Sequence, residues 1–112
     1  MSEALAKKLD AIQASVGIRA RELALLLDTT PQTVSRWRSG AVEPHSERLQ
    51  RLLDLTWLAE RMSKLYARDD ARLWLFTPHP LLDGARPADR IKEGKLDDVS
   101  RVIDQLIAGA YV

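Results

Sequence analysis

The chain has 112 residues, 46% of them hydrophobic and 29% charged, with a net charge of +1. That is an ordinary globular composition, large enough for one small core or two units sharing one. A charge so near zero excludes a polybasic nucleic-acid binder, so any affinity for DNA must come from a local patch. The absence of cysteine excludes disulfides and thiolate metal sites and fits a reducing cytoplasm. The start, Met1-Ser2-Glu3-Ala4, lacks a basic stretch followed by an apolar run, so no signal peptide is expected, and every apolar run is too short to span a bilayer.

Taken in chain order, Leu5, Leu9, Ile12 and Val16 recur at helical spacing and predict a first amphipathic helix over Glu3 to Ser15, ended by Gly17. Arg19 to Leu27 carries Leu23, Ala24, Leu26 and Leu27 and predicts a second. Asp28-Thr29-Thr30 follows as a short turn, and Pro31 to Ser39 is the best-punctuated helix of the chain. Thr30 is a good N-cap, Pro31 suits the first helical position, and Gly40 suits a left-handed stop. Val34 and Trp37 share one face and can anchor this helix to a core. Gln32, Thr33, Ser35, Arg36 and Arg38 offer amide, hydroxyl and guanidinium groups with no acid among them. These are the groups that bond base edges and phosphates, and they form the expected DNA-reading set.

Two helices joined by so short a turn make a helix-turn-helix. The residues Glu22-Leu23-Ala24, Thr33 to Trp37, Gly40 and Pro44 resemble the helix-turn-helix domain of Xre (Cro/C1-type) regulators. Asp28 stands where that family usually has glycine, which asks an aspartate to take positive φ. Pro31 stands where it often has glutamine, which leaves the base-reading register open. The resemblance implies a module of about five helices ending near Tyr66.

Beyond Pro44, a long helix is predicted from Ser46 to Tyr66. Its apolar residues, including Leu49, Leu52, Leu53, Leu55, Trp57, Leu58 and Met62, spread around much of the circumference. That predicts burial on two sides: one against the helix-turn-helix, the other against the C-terminal part or a second subunit. Asp69 or Asp70 can cap a helix containing Leu73 to Phe76, which Pro78 and Pro80 break. Leu81 to Gly84 reads as a turn. Pro87 begins a short helix that Gly94 ends. A last helix starts at Asp97 or Asp98 with the stripe Val99, Val102, Ile103, Leu106 and Ile107, closed by Gly109. With no strand pattern and no repeat, the fold is read as all-α.

The run Ala71 to Phe76, Pro78, Pro80 to Gly84, Arg86 to Asp89, Gly94, Val99, Ile103 and Gly109 resembles the antitoxin domain of the Xre/MbcA/ParS family, partner of RES-domain toxins. Residues 1–66 are then an Xre-like helix-turn-helix domain and 67–112 a toxin-binding domain. The resemblance implies an antitoxin that neutralises an NAD-targeting RES-domain toxin and represses its own operon, as a homodimer and in a larger hetero-oligomer with toxin. Trp74, Pro80, Leu81, Leu82, Arg86, Gly109, Ala110, Tyr111 and Val112 are the implied toxin contacts. Tyr111 offers a ring able to stand where nicotinamide or adenine stacks, and the Val112 carboxylate could pair with arginines meant for phosphates.

Each feature has a plainer reading. Trp37, Trp57 and Trp74 read as core, Trp74 alternatively as toxin contact. The Pro80 to Gly84 turn is open between a structural turn and a toxin contact. His45 and His79 lie far apart and carry no metal-site pattern. Asp69/Asp70 and Asp97/Asp98 read as helix caps rather than an acid–base pair. No catalytic grouping, phosphate loop or cofactor signature is visible, so an enzyme is the least supported class. A stand-alone helix-turn-helix repressor, with a C-terminal part that only dimerises, is the alternative to the antitoxin.

Overall fold

A computed structural model describes residues 2–109. Its helices are α1 (Ser2–Val16), α2 (Ala20–Leu26), α3 (Pro31–Ser39), α4 (Ser46–Met62), α5 (Arg68–Leu75), α6 (Pro87–Lys92) and α7 (Leu96–Gly109), with one 3-10 turn at Pro80–Leu82. No strand occurs among the described residues, so the all-α reading holds.

Local chemistry explains most boundaries. Thr30 caps α3 by accepting from the Thr33 N–H at 3.1 Å, with Pro31 at the first helical position. Gly40 takes φ +84° and its N–H reaches the carbonyls of Arg36 and Trp37, closing the helix. Asp28 adopts φ +53°, the left-handed value demanded at the turn. Its carboxylate lies 3.6 Å from the Arg48 guanidinium and 3.9 Å from that of Arg51, which ties the turn to α4.

Three boundaries differ from expectation. The fourth helix ends at Met62, and Ser63 to Leu65 form turns, so the N-terminal segment holds four helices rather than about five. Neither Asp69 nor Asp70 caps α5. Ala67 is its N-cap and both aspartates lie in the first turn, where they favour the positive end of the helix. Likewise α7 begins at Leu96, with Asp97 and Asp98 inside its first turn.

The core is continuous. Leu9, Ile12 and Val16 of α1 join Leu23 and Leu26 of α2, Val34 and Trp37 of α3, and Leu52, Leu55 and Leu58 of α4. Leu75, Ala88, Ile91, Val99 and Ile103 from the C-terminal segment belong to the same cluster. Helix α5 packs on α1, α6 on α2, and α7 on both α4 and α6. The packing that a fifth N-terminal helix would supply thus comes from downstream.

Gly17 marks the tightest join. With φ +60°, it passes so close to α5 that a Cβ there would sit 2.8 Å from the Arg68 carbonyl oxygen. Arg72 of α5 adds a forked pair to Glu22 of α2, donating from Nε at 3.0 Å and from Nη2 at 2.6 Å. Glu22 also accepts from the Arg19 N–H at 2.9 Å, so one carboxylate caps α2 and binds α5. These donors, Arg72 above all, hold the Glu22 carboxyl below its ordinary pKa despite partial burial.

Candidate functional site

The outward face of α3 is built from its caps. Because Val34 and Trp37 are 3% exposed and locked against the core, the positions between them must point away. Gln32, Ser35 and Arg36 are exposed and Thr33 half-buried. The Arg36 guanidinium has no hydrogen-bond or ion-pair partner among the described residues, so it is available to a phosphate or a base edge. The Thr33 hydroxyl lies 2.9 Å from that of Thr30 and is partly engaged by the cap.

Arg38 departs from the expected reading set. Its guanidinium turns back to α1, pairing with Asp10 and donating to Gln13 at 3.0 Å. It therefore bolts the end of α3 to α1, and the outward polar groups left on this helix face are those of Gln32, Thr33, Ser35 and Arg36.

The second expected surface lies on the C-terminal segment. Trp74 is half-buried, its ring stacked 6.1 Å from Tyr66 and edge-on to His79 at 5.7 Å. His79 Nδ1 accepts from the Leu81 N–H at 3.1 Å and starts the 3-10 turn. That turn lifts Leu81 into solvent, 57% exposed, beside exposed Pro80. Leu82 points the other way and is buried in the core, so it positions the turn and does not offer a contact, contrary to expectation. With three residues per turn, the 3-10 geometry turns only one of these side chains to the core.

Arg86 grips Asp89 with two bonds, 2.9 Å from Nε and 2.8 Å from Nη2, and stacks over Phe76 at 5.9 Å. The grip lowers the Asp89 pKa and secures the start of α6. Its side chain stays 42% exposed, so Arg86 both braces the fold and reaches the surface. Leu73, on α5, is the most exposed large apolar residue here at 66%, and the expected set omitted it. The signal was available: in an eight-residue helix whose inward positions are Ala71 and Leu75, Leu73 falls on the other side. Leu73, Trp74, Pro80 and Leu81 are thus the apolar side chains of this segment that reach solvent, and the partly exposed Arg86 lies over Phe76. Gly109 is the exposed end of α7, and Ala110, Tyr111 and Val112 lie outside the described residues.

Trp57 is a further correction. Expected in the core, it is 47% exposed on α4, in line with exposed Leu49 and Leu53. The Arg61 guanidinium lies 4.9 Å from its ring and pairs with Asp104 of α7. Where α7 covers α4, the helix is buried on its second side; along Leu49, Leu53 and Trp57 it is not.

Among the described residues there is no cluster of three metal-ligating side chains, and no helix is long and apolar enough to cross a membrane. These surfaces can bind, and comparison with known proteins says to what they are related. Residues 66–109 match the model of the antitoxin Xre/MbcA/ParS C-terminal toxin-binding domain. Residues 10–56 match a helix-turn-helix model. The mycobacterial cidal antitoxin MbcA of Mycobacterium tuberculosis is 33% identical over 97 residues, 87% of this chain and 86% of that protein.

The chain belongs to the Xre/MbcA/ParS antitoxin family.

It is an antitoxin of a toxin–antitoxin system. A second relative, the probable mycobacterial cidal antitoxin Rv3188 of Mycobacterium tuberculosis, is 31% identical over 86% of this antitoxin and 82% of its own length. The crystal structure of the M. tuberculosis MbcT–MbcA toxin–antitoxin complex contains a chain that superposes with a TM-score of 0.81 at 31% identity. It covers 96% of the antitoxin and 97% of that chain.

Proposed function

We propose that the antitoxin binds a cognate RES-domain toxin acting on NAD and blocks its active site with the chain's last residues, Gly109 to Val112. The single observation that carries this reading is the near-complete superposition on the antitoxin of a solved toxin–antitoxin complex. In this reading residues 67–112 bind toxin, with Leu73, Trp74, Pro80, Leu81 and Arg86 forming the apolar, arginine-rimmed contact. That composition, aromatic and aliphatic anchors beside an arginine, is typical of the centre of a protein interface. Residues 1–66 bind the operator of the antitoxin's own operon through Gln32, Thr33, Ser35 and Arg36. The antitoxin works in the cytoplasm as a homodimer and in a larger complex with toxin, and is not itself an enzyme.

The test is co-expression with the RES-domain toxin proposed as its partner, followed by an NAD-turnover assay on the purified pair. The expected result is growth arrest by toxin alone, rescue by the antitoxin, and loss of rescue on deleting 109–112. Full inhibition by the truncated chain would refute the active-site plug. Binding of a palindrome by a protein that leaves the toxin active would favour the stand-alone repressor.

A further inference from the structure

A cleft of about 380 Å³ opens beside the end of the recognition helix and shares no residue with the toxin contact proposed above. That volume lies within the range of small-molecule sites, about 300–1,000 Å³. Three elements wall it. Helix α1 supplies Leu5 and Lys8, the end of α3 supplies Trp37, and the entry to α4 supplies Val42, Glu43 and Leu49. Leu5, Trp37, Val42 and Leu49 make the interior largely apolar. Lys8 and Glu43 are its charged residues, one of each sign, and neither has an ion pair or a side-chain hydrogen bond among the described residues. Lys8 is half-buried, so its ammonium has lost water without gaining a carboxylate.

We infer that this cleft binds a free α-amino acid with an apolar side chain. The apolar walls take the side chain. The zwitterionic head brings a carboxylate for Lys8 and an ammonium for Glu43, so each charge meets its opposite. A monocarboxylate would set a like charge near Glu43, and a simple amine would do the same to Lys8. An uncharged apolar molecule would cover both charges and pair neither.

The occupant acts on the recognition helix. The N–H groups of Ala41 and Val42 donate to the Arg36 carbonyl at 3.0 and 3.4 Å, and Trp37 follows Arg36 in the chain. Two lining residues, Val42 and Trp37, therefore bracket the backbone that presents the Arg36 guanidinium. A side chain wedged between α1 and Val42 holds that loop in place, so less ordering is left for DNA binding to supply. The amino acid should thus raise operator affinity, and operator DNA should raise amino-acid affinity by the same factor. The effect on DNA rests on the operator reading above; the binding of the amino acid does not.

The experiment uses the full chain, with L-phenylalanine and L-leucine as probes. The chain has three tryptophans, so its indole N–H resonances can be assigned with Trp57→Phe and Trp74→Phe, neither at a fully buried position. Either probe should shift the Trp37 resonance saturably and leave the other two in place. Phenylpropionate, which lacks the ammonium, and phenylethylamine, which lacks the carboxylate, should bind at least about tenfold more weakly than L-phenylalanine. Lys8→Gln should weaken L-phenylalanine about tenfold and leave phenylethylamine no weaker, and Glu43→Gln should do the same with phenylpropionate. Val42→Trp, at a position 48% exposed, should fill the cleft and abolish binding in a chain that still unfolds cooperatively. Saturating L-phenylalanine should tighten binding to a duplex from the antitoxin's own promoter about fivefold or more. Absence of a saturable shift with both probes, or a shift that survives both Val42→Trp and Lys8→Gln, overturns the site. Equal binding of phenylpropionate overturns the amino-acid class. A promoter affinity that ignores the bound probe overturns the coupling. A chain that takes the probe but no DNA overturns the operator reading and leaves the site standing.

Discussion

Glu22 carries more than its position in the helix-turn-helix suggests. Its carboxylate caps α2 through the Arg19 N–H and takes both donors of the Arg72 fork from α5. Its pKa is lowered in the folded chain, so the folded state binds this proton less readily than the unfolded chain does. The stability it contributes is then present above the unfolded carboxyl value of about 4.3 and is lost as pH falls through the lower folded value. We expect Glu22→Gln to lower the melting temperature at pH 7 and the gap to wild type to close as pH drops below about 4. A gap of constant size down to pH 2 would show that Glu22 acts through packing rather than charge. Asp28 shows the same economy at the preceding turn. It takes the left-handed backbone usually left to glycine, and its carboxylate meets Arg48 and Arg51, which glycine could not do.

At the scale of the element, what was legible in the sequence was what is local. The start and stop of α3 depend on Thr30, Pro31 and Gly40, all within a turn of the residues they cap, and each behaves as its chemistry dictates. Side-chain destinations set by distant partners were not legible. Arg36 and Arg38 are two residues apart on one helix, yet Arg38 is claimed by Asp10 and Gln13 of α1 and Arg36 is not. Trp37 and Trp57 both sit in amphipathic helices, but only Trp37 meets a neighbouring helix over its whole ring. Leu82 is buried beside exposed Leu81 because both lie in a 3-10 turn, invisible to periodicity, which aims successive side chains in different directions. The two arginines should therefore part experimentally. Arg36→Ala should weaken operator binding by about 1–3 kcal/mol and flatten its salt dependence. Arg38→Ala should leave base discrimination intact and cost up to about 1 kcal/mol of folding stability, the usual limit for an exposed pair. Fluorescence titration at two salt concentrations, paired with urea unfolding, distinguishes them, and equal losses of operator affinity would return Arg38 to the reading face.

On the scale of the whole molecule, two matched family regions share one core. Helix-turn-helix and toxin-binding signatures are separate along the chain, at 10–56 and 66–109, but α5 rests on α1, α6 on α2 and α7 on α4. Removing everything after Tyr66 would uncover the flanks of three N-terminal helices and strip Leu75, Ile91, Val99 and Ile103 from their neighbours. A buried leucine, isoleucine or valine side chain contributes about 1.5–3 kcal/mol by burial alone. Four such residues, about 6–12 kcal/mol together, are comparable with the whole stability of a small domain, about 5–15 kcal/mol. The full chain should accordingly unfold in one cooperative transition, with calorimetric and van't Hoff enthalpies equal. A 1–66 fragment should show no cooperative transition under the same conditions, and Gly17→Ala should destabilise the full chain without splitting its transition. The glycine's φ of +60° and the 2.8 Å approach of the Arg68 carbonyl leave a methyl nowhere to go unless α1 and α5 separate. Two resolved transitions in the full chain would mean that the helix-turn-helix folds by itself.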